Sequence, residues 1–277
     1  MNYFLLTSFN RFAKLLAGLL LLSLSGVAEP SSNQLQHRFA PGEVLTYNLR
    51  WGAINVGRGT LEVQPMTEVD GVPAYHFVLS VRTNAWADVF YRVRSKFESF
   101  VAADLSRTLK YVSNQSEGGR ERQGKTLFEW DEDFESAIVR TFNTEGELTD
   151  EIEVAGNVFD PLGIMYVVRQ GLLYPGMKFK VSATDGSSVI DVDVDVQKIE
   201  RIRVPQGRFQ TTLVQPDTKN LRGVFARSGD SGIQMWYSRD EKQFPVQLRG
   251  DVAVGSFRAL LRGYNEGGLV DDDEDLD

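Results

Sequence analysis

Three groups of residues in this 277-residue chain have types and spacings that invite chemistry. Gly229-Asp230-Ser231-Gly232 carries the letters that surround a nucleophilic serine in one class of hydrolase. Such a serine needs a histidine base oriented by a carboxylate. The chain has only two histidines. His37 falls in a polar lead-in and His76 inside a strand pattern, so a Gly/Asp/Ser turn accounts for the same letters, and no catalytic residue is assigned. Asp191, Asp193 and Asp195 alternate with Ile190, Val192, Val194 and Val196. Alternate strand residues stand roughly 6.6–6.8 Å apart, whereas calcium needs oxygens converging at about 2.3–2.6 Å. These carboxylates therefore read as a solvent face or a charge-protected edge. With no cysteine and two distant histidines, zinc has no ligand set. Neither metal nor cofactor is assigned, and there is no P-loop, dinucleotide turn or nucleophile elbow.

The third group is binding chemistry. Glu98 lies between Phe97 and Ser99, on the opposite strand face from both. It is read either as paired with Arg82, Arg92 or Arg94, or as a lone carboxylate facing a ligand. Glycosidase chemistry would need a second carboxylate across the substrate, and the sequence selects none. Most aromatics fall in strands and read as core. Trp86 differs, because Asn84-Ala85-Trp86-Ala87-Asp88 connects two strand patterns, and Trp51 closes the first strand. Trp51, Trp86 and Glu98 are the candidate ligand-binding residues.

The elements that must position them begin with Phe39–Val63. Leu45, Tyr47, Leu49 and Trp51 alternate with polar residues and make one apolar face, Gly52–Asn55 turns the chain, and Val56–Val63 returns it. Gly57 and Gly59 in the return strand mark a bend or the close approach of another backbone. Strand patterns continue over Ala74–Val81, Val89–Val101, Leu109–Ser116, Lys125–Trp130, Ala137–Phe142 and Leu148–Val154. Asp160 as cap, Pro161 at the first position and Gly171 as stop predict one helix over Leu162–Gln170, apolar on nearly all sides and hence buried. Strands resume from Lys178 to Arg262. The fold class that follows is mainly β: a strongly curved antiparallel sheet or open barrel with one short buried helix.

The N-terminus predicts a compartment. Arg11 and Lys14 precede the apolar run Leu15–Val27, and Gly26-Val27-Ala28 offers a cleavage site, so residues 1–28 read as a signal peptide. The run is shorter than the roughly 20 residues of a comfortable membrane span, and no transmembrane span is expected in the processed chain. A mobile lead-in over 29–38, a single β domain over 39–264 and an acidic disordered tail over 265–277 complete the expected organisation. An exported protein without cysteine suits a periplasm and must be stabilised by burial. Setting aside the two leader bases and the six acids of 271–277 leaves 32 acids against 28 bases. A body so nearly balanced, with no basic surface legible, disfavours nucleic acid as a partner.

Gly42-Glu43-x-Leu45-x-Tyr47, Trp51-Gly52 with Gly57, Phe97-Glu98-Ser99, Asp160-Pro161-Leu162, Val204-Pro205-x-Gly207-x-Phe209 and Trp236-x-Ser238-x-Asp240 with Pro245-Val246 occur in this order. The series resembles the bacterial domain-of-unknown-function family 3108, across roughly Phe39–Tyr264. That resemblance implies an exported, mostly β envelope protein and transfers no catalytic residue. We read the chain as binding an apolar or amphiphilic envelope ligand inside the curve, with binding ranked ahead of catalysis. A structural or partner-binding envelope scaffold is the alternative, and an enzyme acting on an envelope polymer the second alternative.

Overall fold

The computed structural model describes residues 37–217, 232–251 and 256–267. The expected leader, the Gly229–Ser231 part of the serine turn and most of the acidic tail lie outside them. The opening hairpin is β1 (Glu43–Trp51) and β2 (Ile54–Val63), followed by β3 (Thr67–Val69), β4 (Val72–Thr83) and the one-turn helix α1 (Ala85–Asp88). Then come β5 (Val93–Ala102), β6 (Thr108–Glu117), β7 (Arg120–Trp130), β8 (Ser136–Phe142) and β9 (Leu148–Ala155). The two-residue β10 (Val158–Phe159) leads into α2 (Pro161–Gln170). The second half comprises β11 (Lys178–Thr184), β12 (Val189–Val204), β13 (Gly207–Pro216), β14 (Ile233–Ser238), β15 (Pro245–Asp251) and β16 (Ser256–Glu266).

Neighbouring strands pair antiparallel, apart from the short parallel contact of β10 with β11, and β16 returns to pair with β1. The sheet therefore runs from β10 through β16 to β1, then on through β2 and β4 to β9, with β3 beside β4. Its two ends, β9 and β10, are joined by Gly156-Asn157, with no ladder between them among the described residues. The result is a nearly closed barrel with one seam. Register shifts opposite Leu49/Arg50, Thr46/Tyr47 and Phe100/Val101 add the local bends that closure requires. Gly57 serves the close approach foreseen for it, because an added Cβ would lie 2.2 Å from the Arg82 carbonyl oxygen.

Inside, Leu45, Leu61, Val63, Phe77, Val101 and Leu261 are buried with the apolar face of α2. Asp160 caps α2 through the Leu162 and Gly163 amides, as the sequence predicts. At Gly163 the helix lies close on β5, where a Cβ would meet Val101 at 3.0 Å and Ser99 at 3.2 Å. α2 is buried as expected, with the polar Arg169 among its buried side chains. One expectation needs correction: Val89–Val101 is not one strand. Asn84 accepts the Ala87 amide and starts α1, the chain then turns, and β5 begins only at Val93. Phe90 and Tyr91, placed in the core by the strand pattern, are exposed. His37 and Arg38, the end of the expected lead-in, pack on Tyr75 and Gln170, and β16 continues to Glu266.

Candidate functional site

α2 lies across one end of the barrel. Its Arg169 donates to Glu43 of β1 at 2.5 and 2.8 Å, to the Lys242 carbonyl at 2.8 Å and to the Arg38 carbonyl at 2.9 Å. Both charged side chains are out of solvent, Arg169 at 1% and Glu43 at 0% exposure. Phe39 and Phe244 lie within 5.6 and 5.0 Å of the guanidinium. At the helix N-terminus Asp160 accepts from Ser99 at 2.5 Å and Thr108 at 2.8 Å. Burial pushes its pKa up, against those hydrogen bonds. Between the two polar sites Phe77 stacks on Tyr166 at 3.6 Å, with Phe39 edge-on to both. These groups close the end; no reacting pair with open access is formed among them.

Beside the helix, the seam opens into a groove of about 570 Å³. β10 pairs only with Ser182 and Ala183, so among the described residues no strand lies beside the outer edge of β11 over Lys178–Val181. Phe159 and Val167 on the helix side, Phe179 and Val181 on the strand side, and Leu172 and Met177 of the intervening loop line the groove, with Asn157, Lys180 and Ser182 as its polar groups. Its volume lies within the roughly 300–1,000 Å³ of small-molecule sites, and an apolar lining with a few polar groups is their usual composition. The sequence held a signal for it: Leu172-Leu173-Tyr174-Pro175 is an apolar stretch after the helix stop that no strand pattern absorbs.

The residues singled out from sequence lie elsewhere. Trp51 and Trp86 are brought to the same end of the barrel, opposite α2. Trp51 pairs with Ile54 across the first turn, and Asn84 beside Trp86 bonds to the Asn55 carbonyl at 2.8 Å and the Val56 carbonyl at 2.9 Å. Glu98 is on the outer wall of β5, facing away from the core. Its partners are His76 at 2.9 Å and Lys96 at 3.0 Å, none of the arginines considered. Burial pushes the Glu98 pKa up, but the hydrogen bonds from Lys96 and His76 outweigh it and hold the carboxyl below its ordinary value. Burial lowers the His76 pKa, and its ring stacks on Phe100 at 4.2 Å. Asp191 and Asp195 face solvent on β12 and pair with Lys180 at 3.6 Å and Lys178 at 3.2 Å. β12 lies between β11 and β13, so the acidic face is not an edge.

The same outer wall carries a second groove, of about 610 Å³. Thr46, Thr60, Ser80, Lys96 and Asn114 are successive register partners across β1, β2, β4, β5 and β6. The next row holds Arg58, Arg82 and Arg94, each directly opposite the next. Every one of these occupies a polar position of the strand alternation, so sequence shows each alone, and only the register shows the row.

The fold and these grooves define an all-β, barrel-like protein plugged at one end by a helix. Residues 46–262 match the family model described as a protein of unknown function, DUF3108, and the chain belongs to that family. No curated protein matches it. Among solved structures it is similar to a β-barrel-like protein of the domain-of-unknown-function family DUF1849 from Brucella abortus, with a TM-score of 0.54 at 11% identity, covering 83% of this chain and 99% of that one. That similarity concerns the fold alone. A protein with a YmcC-like fold from Bacteroides fragilis aligns over 83% of this chain and 98% of its own, at 10% identity and a TM-score of only 0.31.

Proposed function

We propose that the protein is an exported envelope protein that binds the apolar part of an amphiphilic ligand in the seam groove beside α2. The observation that carries this reading is the groove of about 570 Å³, lined by apolar side chains together with Asn157, Lys180 and Ser182, at the seam between β9 and β10. Phe159, Val167 and Phe179 offer an apolar slot, while Lys180 and Asn157 supply polar contacts for a headgroup. Export is supported by the basic, apolar and small-residue order of Met1–Ala28. A scaffold reading draws on the same place, because an uncovered β11 edge is a site where an extended peptide can add a strand.

One experiment addresses these readings together. Protein recovered from periplasmic extract, with its N-terminus read by mass spectrometry, is titrated with a lipophilic fluorescent probe. The expected result is a chain starting near Glu29 that binds the probe saturably, with Val167→Asp or Phe179→Asp abolishing binding and Trp86→Asp leaving it intact. Absence of saturable binding would remove the amphiphile reading, and capture of extended peptides by the unliganded edge would put the scaffold in its place.

A further inference from the structure

The end of the barrel opposite α2 has a surface that neither groove chemistry nor stability explains. Six of the fifteen large hydrophobic side chains exposed among the described residues fall on two touching loops there. They are Trp51 (47% exposed) and Ile54 (49%) on the first turn, and Trp86 (52%), Val89 (79%), Phe90 (74%) and Tyr91 (52%) on the second. Trp86 and Phe90 stand ring to ring at 5.3 Å on the second loop, and the Asn84 bonds to the Asn55 and Val56 carbonyls hold the two loops side by side. A patch of this kind is unusual on a soluble surface with no partner.

The charge beneath the patch has the opposite sign to the rest of the chain. Residues 50–58 and 82–96 hold six bases (Arg50, Arg58, Arg82, Arg92, Arg94 and Lys96) and one acid, Asp88, a formal net of +5 in a chain whose total is −8. The adjoining turn, Glu117–Arg122, is balanced, with two acids and two arginines. Asp88 is committed to Arg94 at 2.6 Å, and Glu98 holds Lys96 at 3.0 Å. No acid among the described residues pairs with Arg58 or Arg82, which face each other directly across β2 and β4. Like charges directly opposite on a sheet destabilise it, and a bound anion would relieve the repulsion. These two arginines also wall the groove of about 610 Å³, with Thr46, Thr60 and Ser80 hydroxyls in the adjoining row. They lie four residues below Ile54, about 13 Å along the strand. That spacing suits apolar tips entering about 5–10 Å below the headgroups while guanidinium groups remain at the phosphate level.

We propose that the protein docks on an anionic phospholipid surface through this rim, with Trp51, Trp86 and Phe90 entering the interface and lipid phosphates taken into the Arg58/Arg82 groove. Aromatic side chains favour that interface, and the basic row is complementary to an anionic leaflet. The proposal does not rest on the seam groove, which lies at the other end of the barrel.

The test uses the chain from Glu29 onward, which contains the whole compact unit His37–Asp277. It is sedimented with vesicles of phosphatidylcholine alone or mixed with phosphatidylglycerol. The expected result is retention on the anionic vesicles, weakening as salt rises, with at least tenfold less on phosphatidylcholine. Trp86→Asp with Phe90→Asp should lower retention at least tenfold, and Arg58→Glu with Arg82→Glu should do the same. Unchanged melting and unchanged binding of the lipophilic probe in solution show that these variants are folded and that the seam is intact. No retention, equal retention on both vesicles, or wild-type retention by either double variant overturns the proposal. A rim-dependent dimer in sedimentation equilibrium without vesicle binding also overturns it, and assigns the patch to a second copy of the chain.

Discussion

The two ends of the barrel solve opposite problems. At the α2 end, two charges are taken fully out of water, and each is matched: Arg169 by a carboxylate and two carbonyls, Glu43 by a guanidinium. At the other end, large apolar side chains remain in water, and two arginines face each other without an acid. Burial of an ion pair is weak evidence of net stabilisation, because desolvation opposes the Coulombic gain. What the pair does define is a seat, with Arg169 over Glu43 between Phe39 and Phe244. The rim instead presents large apolar side chains to solvent. Groups that hold the fold and groups available for contact are thus separated along the barrel axis.

The separation is most easily broken at the closed end. Arg169→Ala leaves Glu43 buried without a counter-charge, and the expected loss is about 3–5 kcal/mol in denaturant titration. Replacing both partners by apolar residues, Glu43→Leu with Arg169→Met, should recover a large part of it, because no charge is then stranded. A loss near 1 kcal/mol for Arg169→Ala alone would mean that water reaches the pair, and that the end is not closed as described.

Glu98 sharpens the comparison from the outer wall, between the two ends. Its folded-state pKa lies below the ordinary value of 4.5. A depressed carboxylate pKa contributes stability that is present above the unfolded pKa and is lost as pH falls through the folded one. Glu98→Gln should therefore cost under about 1 kcal/mol at pH 7, as partly exposed ion pairs do. The difference from the wild type should fade as pH drops below 4.5. A difference that persisted at lower pH would show that packing, not the charge bonded to Lys96 and His76, is what the substitution removes.

How much of this was legible in the sequence depended on whether the relevant pattern was local. The alternation of Leu45, Tyr47 and Leu49, and the Asp160-Pro161 start of α2, are carried by neighbouring residues, and both appear in the fold as read. The Glu43–Arg169 pair spans 126 residues. Nothing near Arg169 marked it as buried, although Glu43 stood in the family series. The stretch after Trp86 failed for a different reason. Val89, Phe90 and Tyr91 have strong strand preference, but the Asn84 cap and the turn behind it override that preference and leave them in solvent. Trp86 is legible as a loop aromatic and Trp51 as the end of the first strand, yet the arginine row beside them needs two strand registers to be seen.

The smallest expected effect on stability belongs to the rim, and it decides whether the comparison holds. Val89 and Phe90 are 79% and 74% exposed, and Trp86 is half exposed, so little apolar area is lost to water when Trp86 and Phe90 become Asp. Surface substitutions away from caps and buried networks usually change stability by no more than about 0.5 kcal/mol. The substitutions leave the Asn84 cap and the Arg94–Asp88 pair in place. They also put negative charge into a region of net positive charge, which offsets part of the lost Trp86–Phe90 contact. The double variant should therefore melt within about 2 °C of the wild type, given the few degrees that 1 kcal/mol shifts a domain of this size. A drop of 8 °C or more would show that the aromatic rim is part of the core, and the division between a closed end that stabilises and an open end that makes contacts would fail.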